Sequence, residues 1–107
     1  TATLTKSGVA TGLDQTTGVG RKYYAAVTTG GVLVAAADYT AGKAHKIYIK
    51  NLSSDNAETV ELQVGTQAIG KMAGGDFAFI PYDGATDIKI STSAIAMTVE
   101  YMVIFEA

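Results

Sequence analysis

Ala44-His45-Lys46-Ile47-Tyr48-Ile49-Lys50 alternates strictly, with His45, Ile47 and Ile49 on one face and Lys46, Tyr48 and Lys50 on the other. Successive side chains of a strand point to opposite faces, so this period of two predicts a half-buried strand. Asn51 to Asn56 is turn chemistry. Thr59 to Val64 then alternates again, with Val60, Leu62 and Val64 inward. Gly65 breaks that run, and Gln67 to Lys71 can pair back on it as a hairpin.

Outward from this centre the pattern repeats. Gly74-Gly75 predicts a turn, Asp76 to Ile80 a strand, and Pro81-Tyr82-Asp83-Gly84 a further turn. Asp87 to Ser91 places Ile88 and Ile90 inward. Ile95 to Phe105 predicts the longest strand, with Ile95, Met97, Val99, Tyr101, Val103 and Phe105 on one side and Ala96, Thr98, Glu100, Met102, Ile104 and Glu106 on the other. Apolar Met102 and Ile104 on the second side imply a central strand, or a far face that meets a partner. Towards the N-terminus, Lys22 to Thr28 and Val32 to Ala37 read as strands around Gly30-Gly31, and Leu13 to Gly20 reads as loop. Ala35-Ala36-Ala37 also suits a short helical turn, with strand favoured. Seven or eight short strands without an amphipathic helix predict an all-β fold. The expected architecture is a single antiparallel β-sandwich, jelly-roll-like, over residues 21–107, preceded by an extended N-terminal arm, residues 1–20.

Composition narrows the chemistry. The 107 residues make one domain, and 48% hydrophobic content supplies a core. Eight basic and ten acidic side chains leave a net charge of −2 without blocks, so no nucleic-acid footprint is expected. There is no cysteine, one histidine and no tryptophan. Disulfides, thiolate metal sites and most acid–base chemistry are thereby excluded. Apolar runs fall short of the roughly 18–20 residues of a membrane helix. No charged segment leads an apolar stretch from Thr1, so no secretory leader is expected.

Each candidate site has a simpler reading beside it. His45 could act as a general base, but its place beside Ile47 and Ile49 predicts a buried imidazole bonded to backbone. Asp76, Asp83 and Asp87 sit at turns, where aspartate caps backbone N–H groups. Asp83 to Asp87 hints at a cation loop yet lacks the middle ligands and closing glutamate of an EF-hand. Gly18-Val19-Gly20-Arg21-Lys22 lacks the spacing of a phosphate loop and reads as an arm segment with a basic patch. Asn51-Leu52-Ser53 is a glycosylation sequon, relevant only in a secreted chain. No catalytic residue, metal or cofactor is expected. The chain is read as a binding or building protein.

From Ile47-Tyr48-Ile49-Lys50-Asn51 onward, the order of features is similar to a known group. Val60-Glu61-Leu62-Gln63-Val64-Gly65 is followed by Gly74-Gly75-Asp76-Phe77-Ala78-Phe79-Ile80-Pro81, Ile88-Lys89-Ile90 and a closing Val99-Glu100-Tyr101-Met102-Val103. Over residues 44–107 this resembles the small β-rich virion proteins of tailed bacteriophages, most of all head decoration (cement) proteins. The resemblance implies a non-enzymatic protein, assembled in the host cytoplasm, that binds the outer surface of the major capsid protein lattice as a homotrimer. Partner contacts are expected at Thr3, Leu4, Thr5 and Val9 of the arm and at Met102 and Ile104 of the last strand. The alternative is a receptor- or carbohydrate-binding domain of a fibre or spike, using Tyr82 and Asp83 around a concave patch.

Overall fold

The computed structural model describes residues 19–104. Thr3, Leu4, Thr5 and Val9, and with them the expected arm up to Gly18, lie outside the described residues, as does Phe105. Eight strands are present among the described residues: β1 (Val19–Tyr24), β2 (Gly31–Val34), β3 (His45–Asn51), β4 (Val60–Val64), β5 (Gln67–Met72), β6 (Phe77–Tyr82), β7 (Ile88–Thr92) and β8 (Met97–Ile104). They form two four-stranded antiparallel sheets, ordered β1-β8-β3-β6 and β2-β7-β4-β5.

That order has a simple origin. β4 pairs with β5, β3 with β6, β2 with β7 and β1 with β8, so the chain is one long antiparallel ribbon closed at the β4–β5 turn. Rolling the ribbon over itself adds the pairs β3·β8 and β4·β7. This is the jelly-roll arrangement of a β-sandwich. Ile47, Ile49, Met97, Val99, Val103, Tyr24 and Tyr82 from one sheet meet Leu33, Val34, Val60, Leu62, Met72, Ile88 and Ile90 from the other in a single core. The strict alternation read in β3, β4 and β7 is the alternation of buried and half-buried positions.

Several boundaries differ from the sequence reading. Val19 and Gly20 begin β1 instead of closing a loop. β1 stops at Tyr24 because β2 belongs to the other sheet, and Ala25 to Gly30 must cross between them. The crossing is held where Thr28 N–H donates to Thr92 Oγ1 at 2.9 Å and Thr92 N–H donates to Thr28 O at 2.9 Å. β2 ends at Val34, and Ala36–Asp38 form a 3-10 turn in place of a continuing strand. The chain must return to the first sheet there, and the Asp87 carboxylate captures the Ala36 N–H at 2.8 Å. Pro81 and Tyr82, read as a turn, complete β6. β6 is an edge strand, where the missing proline N–H is tolerated. β8 starts at Met97 because Ala96 takes a left-handed φ of 56°, and Ile95 is left exposed outside the ladder.

Candidate functional site

The two sheets present contrasting outer faces. On β2-β7-β4-β5 the outward positions of β4 and β7 and their partners are Glu61, Gln63, Lys71, Ala68, Lys89, Ser91 and Val32. That face is mainly polar, as an antiparallel sheet meeting water should be, with Val32 of β2 and Ile69 of β5 as its exposed large apolar side chains at 38% and 57%.

The outer face of β1-β8-β3-β6 is different. Register carries Tyr48 of β3 beside Met102 of β8 and Phe79 of β6, one apolar row across three strands. Lys46 lies between Ile104 and Pro81, while Lys50 lies between Glu100 and Phe77. Tyr23 of β1 joins this side at 61% exposure; Phe77 and Phe79 are exposed at 42% and 38%. The Tyr48 and Phe77 ring centroids are 6.4 Å apart. Large aromatic groups set side by side in water mark an interaction surface more often than solitary exposed residues do.

Charged groups brace the row. Arg21 of β1 holds Glu100 of β8 through Nη2 at 3.1 Å and Nε at 3.2 Å. The Tyr48 hydroxyl donates to the other Glu100 oxygen at 3.5 Å. Partial desolvation, then the Glu100 charge, pushes the Tyr48 phenol above its ordinary range. Both carboxylate oxygens are therefore occupied within the face, and the Tyr48 ring is steered across it.

Met102 and Ile104 stand on this outer face, as the alternation of the last strand predicts. Tyr48, Phe77 and Phe79 were not among the expected contact residues. The signal was nonetheless present, because Phe77 to Ile80 is apolar in both phases of a strand, just as Met102 to Ile104 is. Arg21 and Lys22 do not share a basic patch: Arg21 faces outward to Glu100, whereas Lys22 lies on the other side of β1 and donates to Val32 O at 3.1 Å.

The other candidates resolve into structural roles. His45 is fully buried, and its Nε2–H donates to Thr40 O at 2.8 Å. Tyr39 and Tyr82 pack around the imidazole with centroids at 5.8 and 6.0 Å. Asp76, Asp83 and Asp87 each accept a backbone N–H, from Ala73, Ala85 and Ala36 respectively. No group of three or more His, Asp or Glu side chains able to hold a metal occurs among the described residues. The sequon residue Asn51 is fully buried, and its Nδ2 donates to Glu58 O and Met72 O.

A shallow open cleft of about 410 Å³ lies at one end of the sandwich, between Lys43, Val64, Pro81, Tyr82, Asp83 and Thr86. Tyr82 is only 4% exposed there, and its hydroxyl donates to Thr86 O. A ring so buried has no open face for stacking on a sugar. No protein-family model matches the chain, and no curated protein matches it.

Proposed function

We propose that this chain is a non-enzymatic structural protein of a tailed-phage virion. In this reading it docks on the outer surface of the major capsid protein lattice through the outer face of the β1-β8-β3-β6 sheet. The observation that carries the proposal is the contrast between the two outer faces, one mainly polar with separate Val32 and Ile69, the other bearing Tyr23, Tyr48, Met102, Phe77 and Phe79 with its aromatic groups side by side. A sheet that packs its core on one side and holds aromatic groups on the other has area to bury against a second protein. The kind of partner comes from the resemblance of residues 44–107 to head decoration proteins. Jelly rolls also serve as viral capsid domains and as lectins, so the fold is compatible with the role without specifying it. Repetition around a lattice would convert modest single contacts into high avidity. The homotrimer belongs to the same resemblance.

The test adds purified chain to heads that lack it. Co-sedimentation and a raised head melting temperature are the expected outcomes; absence of both overturns the proposal. Phe79→Ser and Ile104→Lys should each reduce occupancy about tenfold or more, as loss of an interface anchor worth about 1–2 kcal/mol or more does. The unfolding midpoint of the isolated chain should barely move, because both side chains lie on the outer face. Deleting residues 1–12 examines the arm separately, since a second contact there would lower occupancy without unfolding the domain.

A further inference from the structure

We infer that the surface received by this face is apolar at its centre, carries a carboxylate opposite Lys50, and is not a second copy of this chain. The inference rests on the docking role proposed above and adds the partner's chemistry. Glu100 is the sole acidic side chain on the face among the described residues, and its two oxygens are taken by Arg21 and the Tyr48 hydroxyl. Lys50 stands directly across from Glu100 on β3 and beside Phe77 on β6, yet enters no salt bridge among the described residues. Covering the aromatic row means covering Lys50 as well. A cation removed from water without a counter-charge is strongly disfavoured, so a partner that fits must supply an anion there.

The sign of the face also argues against self-association. Among the described residues, Arg21 and Lys50 set against the single carboxylate of Glu100 leave it positive, although the whole chain carries −2. A second copy presenting the same face would bring cations towards cations, and like-charge juxtaposition suppresses pairing. A lattice surface bearing carboxylates around an apolar patch meets both requirements.

The experiment measures binding of the full chain to heads that lack it, at about 0.05 M and about 1 M salt, where screening lengths are about 14 Å and about 3 Å. Sedimentation velocity of the chain alone runs in parallel. Lys50→Glu should weaken binding about tenfold or more at low salt and much less at high salt, with Lys50→Gln in between. Phe79→Ser should weaken it at both. The size of the chain in solution should be the same for all variants. Equal binding by Lys50→Glu and the unaltered chain would overturn the charge inference alone. A change of oligomeric size in Lys50→Glu or Phe79→Ser would assign the face to a second copy and overturn it too. Failure of the unaltered chain to bind heads would remove the docking role, and this inference with it.

Discussion

Asn51 does more for the fold than its place at the end of a strand suggests. Its Nδ2 donates to Glu58 O at 3.0 Å and Met72 O at 3.1 Å, and its Oδ1 accepts Ser53 N–H at 3.0 Å. Its backbone N–H donates to Asp76 O, and its carbonyl accepts from Gly75 N–H. One buried amide thus ties the β3–β4 loop to the β5–β6 turn. Asn51→Ala should cost about 2–4 kcal/mol in chemical denaturation, because it strips bonds from two carbonyls. Two tyrosines make an informative pair. Tyr24 is 7% exposed and its hydroxyl has no hydrogen-bond partner among the described residues, while Tyr82, 4% exposed, has its hydroxyl bonded to Thr86 O. Tyr24→Phe should be neutral or stabilising by up to about 1 kcal/mol, and Tyr82→Phe should cost about 1 kcal/mol. Desolvation pushes both phenols from 10.0 up to about 12, with smaller contributions from Tyr101 at Tyr24 and from Asp87 and Asp83 at Tyr82. The unfolded chain gives up these protons first, near pH 10. Their contribution to stability is therefore complete below pH 10 and lost as pH rises through about 12. Unfolding followed from pH 9 to 12 should show that decline, and Tyr24→Phe should make it shallower.

At the scale of elements, the ends of strands are set by single backbone conformations. β4 and β5 are joined by Gly65 and Thr66, with Val64 paired to Gln67 and Gly65 at a φ of 60°. This is the glycine-first, two-residue loop whose twist matches that of a hairpin. Ala96 plays the comparable part before β8 without being glycine. A left-handed alanine is strained by about 1–2 kcal/mol, partly offset by the greater freedom glycine has when unfolded. Ala96→Gly should therefore raise stability by about 0.5–1 kcal/mol, measurable as a shift in denaturant midpoint at constant slope. Elsewhere, edge strands carry features that discourage pairing with other chains. β6 contains Pro81, β2 spans four residues and is irregular between Val32 and Val34, and β5 has a register shift opposite Leu62 and Gln63.

At the scale of the molecule, rolling one ribbon into two sheets gives every strand a choice between core and outside. The second sheet resolves it by placing apolar side chains inward and mostly polar ones outward, Val32 and Ile69 apart. The first sheet places apolar groups on both sides. The difference is energetic as well as geometric: the parts of Phe77, Phe79 and Tyr23 still open to water gain nothing in the isolated chain, whereas an interface recovers about 25 cal/mol for each Å² of apolar area removed from water, before the costs of association. The docking and charge-reversal experiments described above belong to this scale, since no single strand contains the face.

The sequence by itself determined the all-β class, the positions of β3, β4, β5 and β7, and the inward set built on Ile47, Ile49, Val60, Leu62, Ile88 and Ile90. Period-two alternation is a local property of an extended chain, and burial simply follows it. The backbone roles of His45, Asp76 and Asp83 were legible for the same reason, because each bonds a group within five residues of itself, whereas the Asp87 bond to Ala36 N–H spans two distant loops. Only the tertiary structure decided which apolar phase of Phe77 to Ile80 and of Met102 to Ile104 points outward. It also decided that Pro81 lies within an edge strand, that Val19 and Gly20 pair with Met102 and Tyr101, and that Glu100 is claimed by both Arg21 and Tyr48. Those outcomes depend on which strands lie side by side. Pairings such as Arg21 with Glu100 join residues at opposite ends of the described chain, and no local pattern encodes such a meeting.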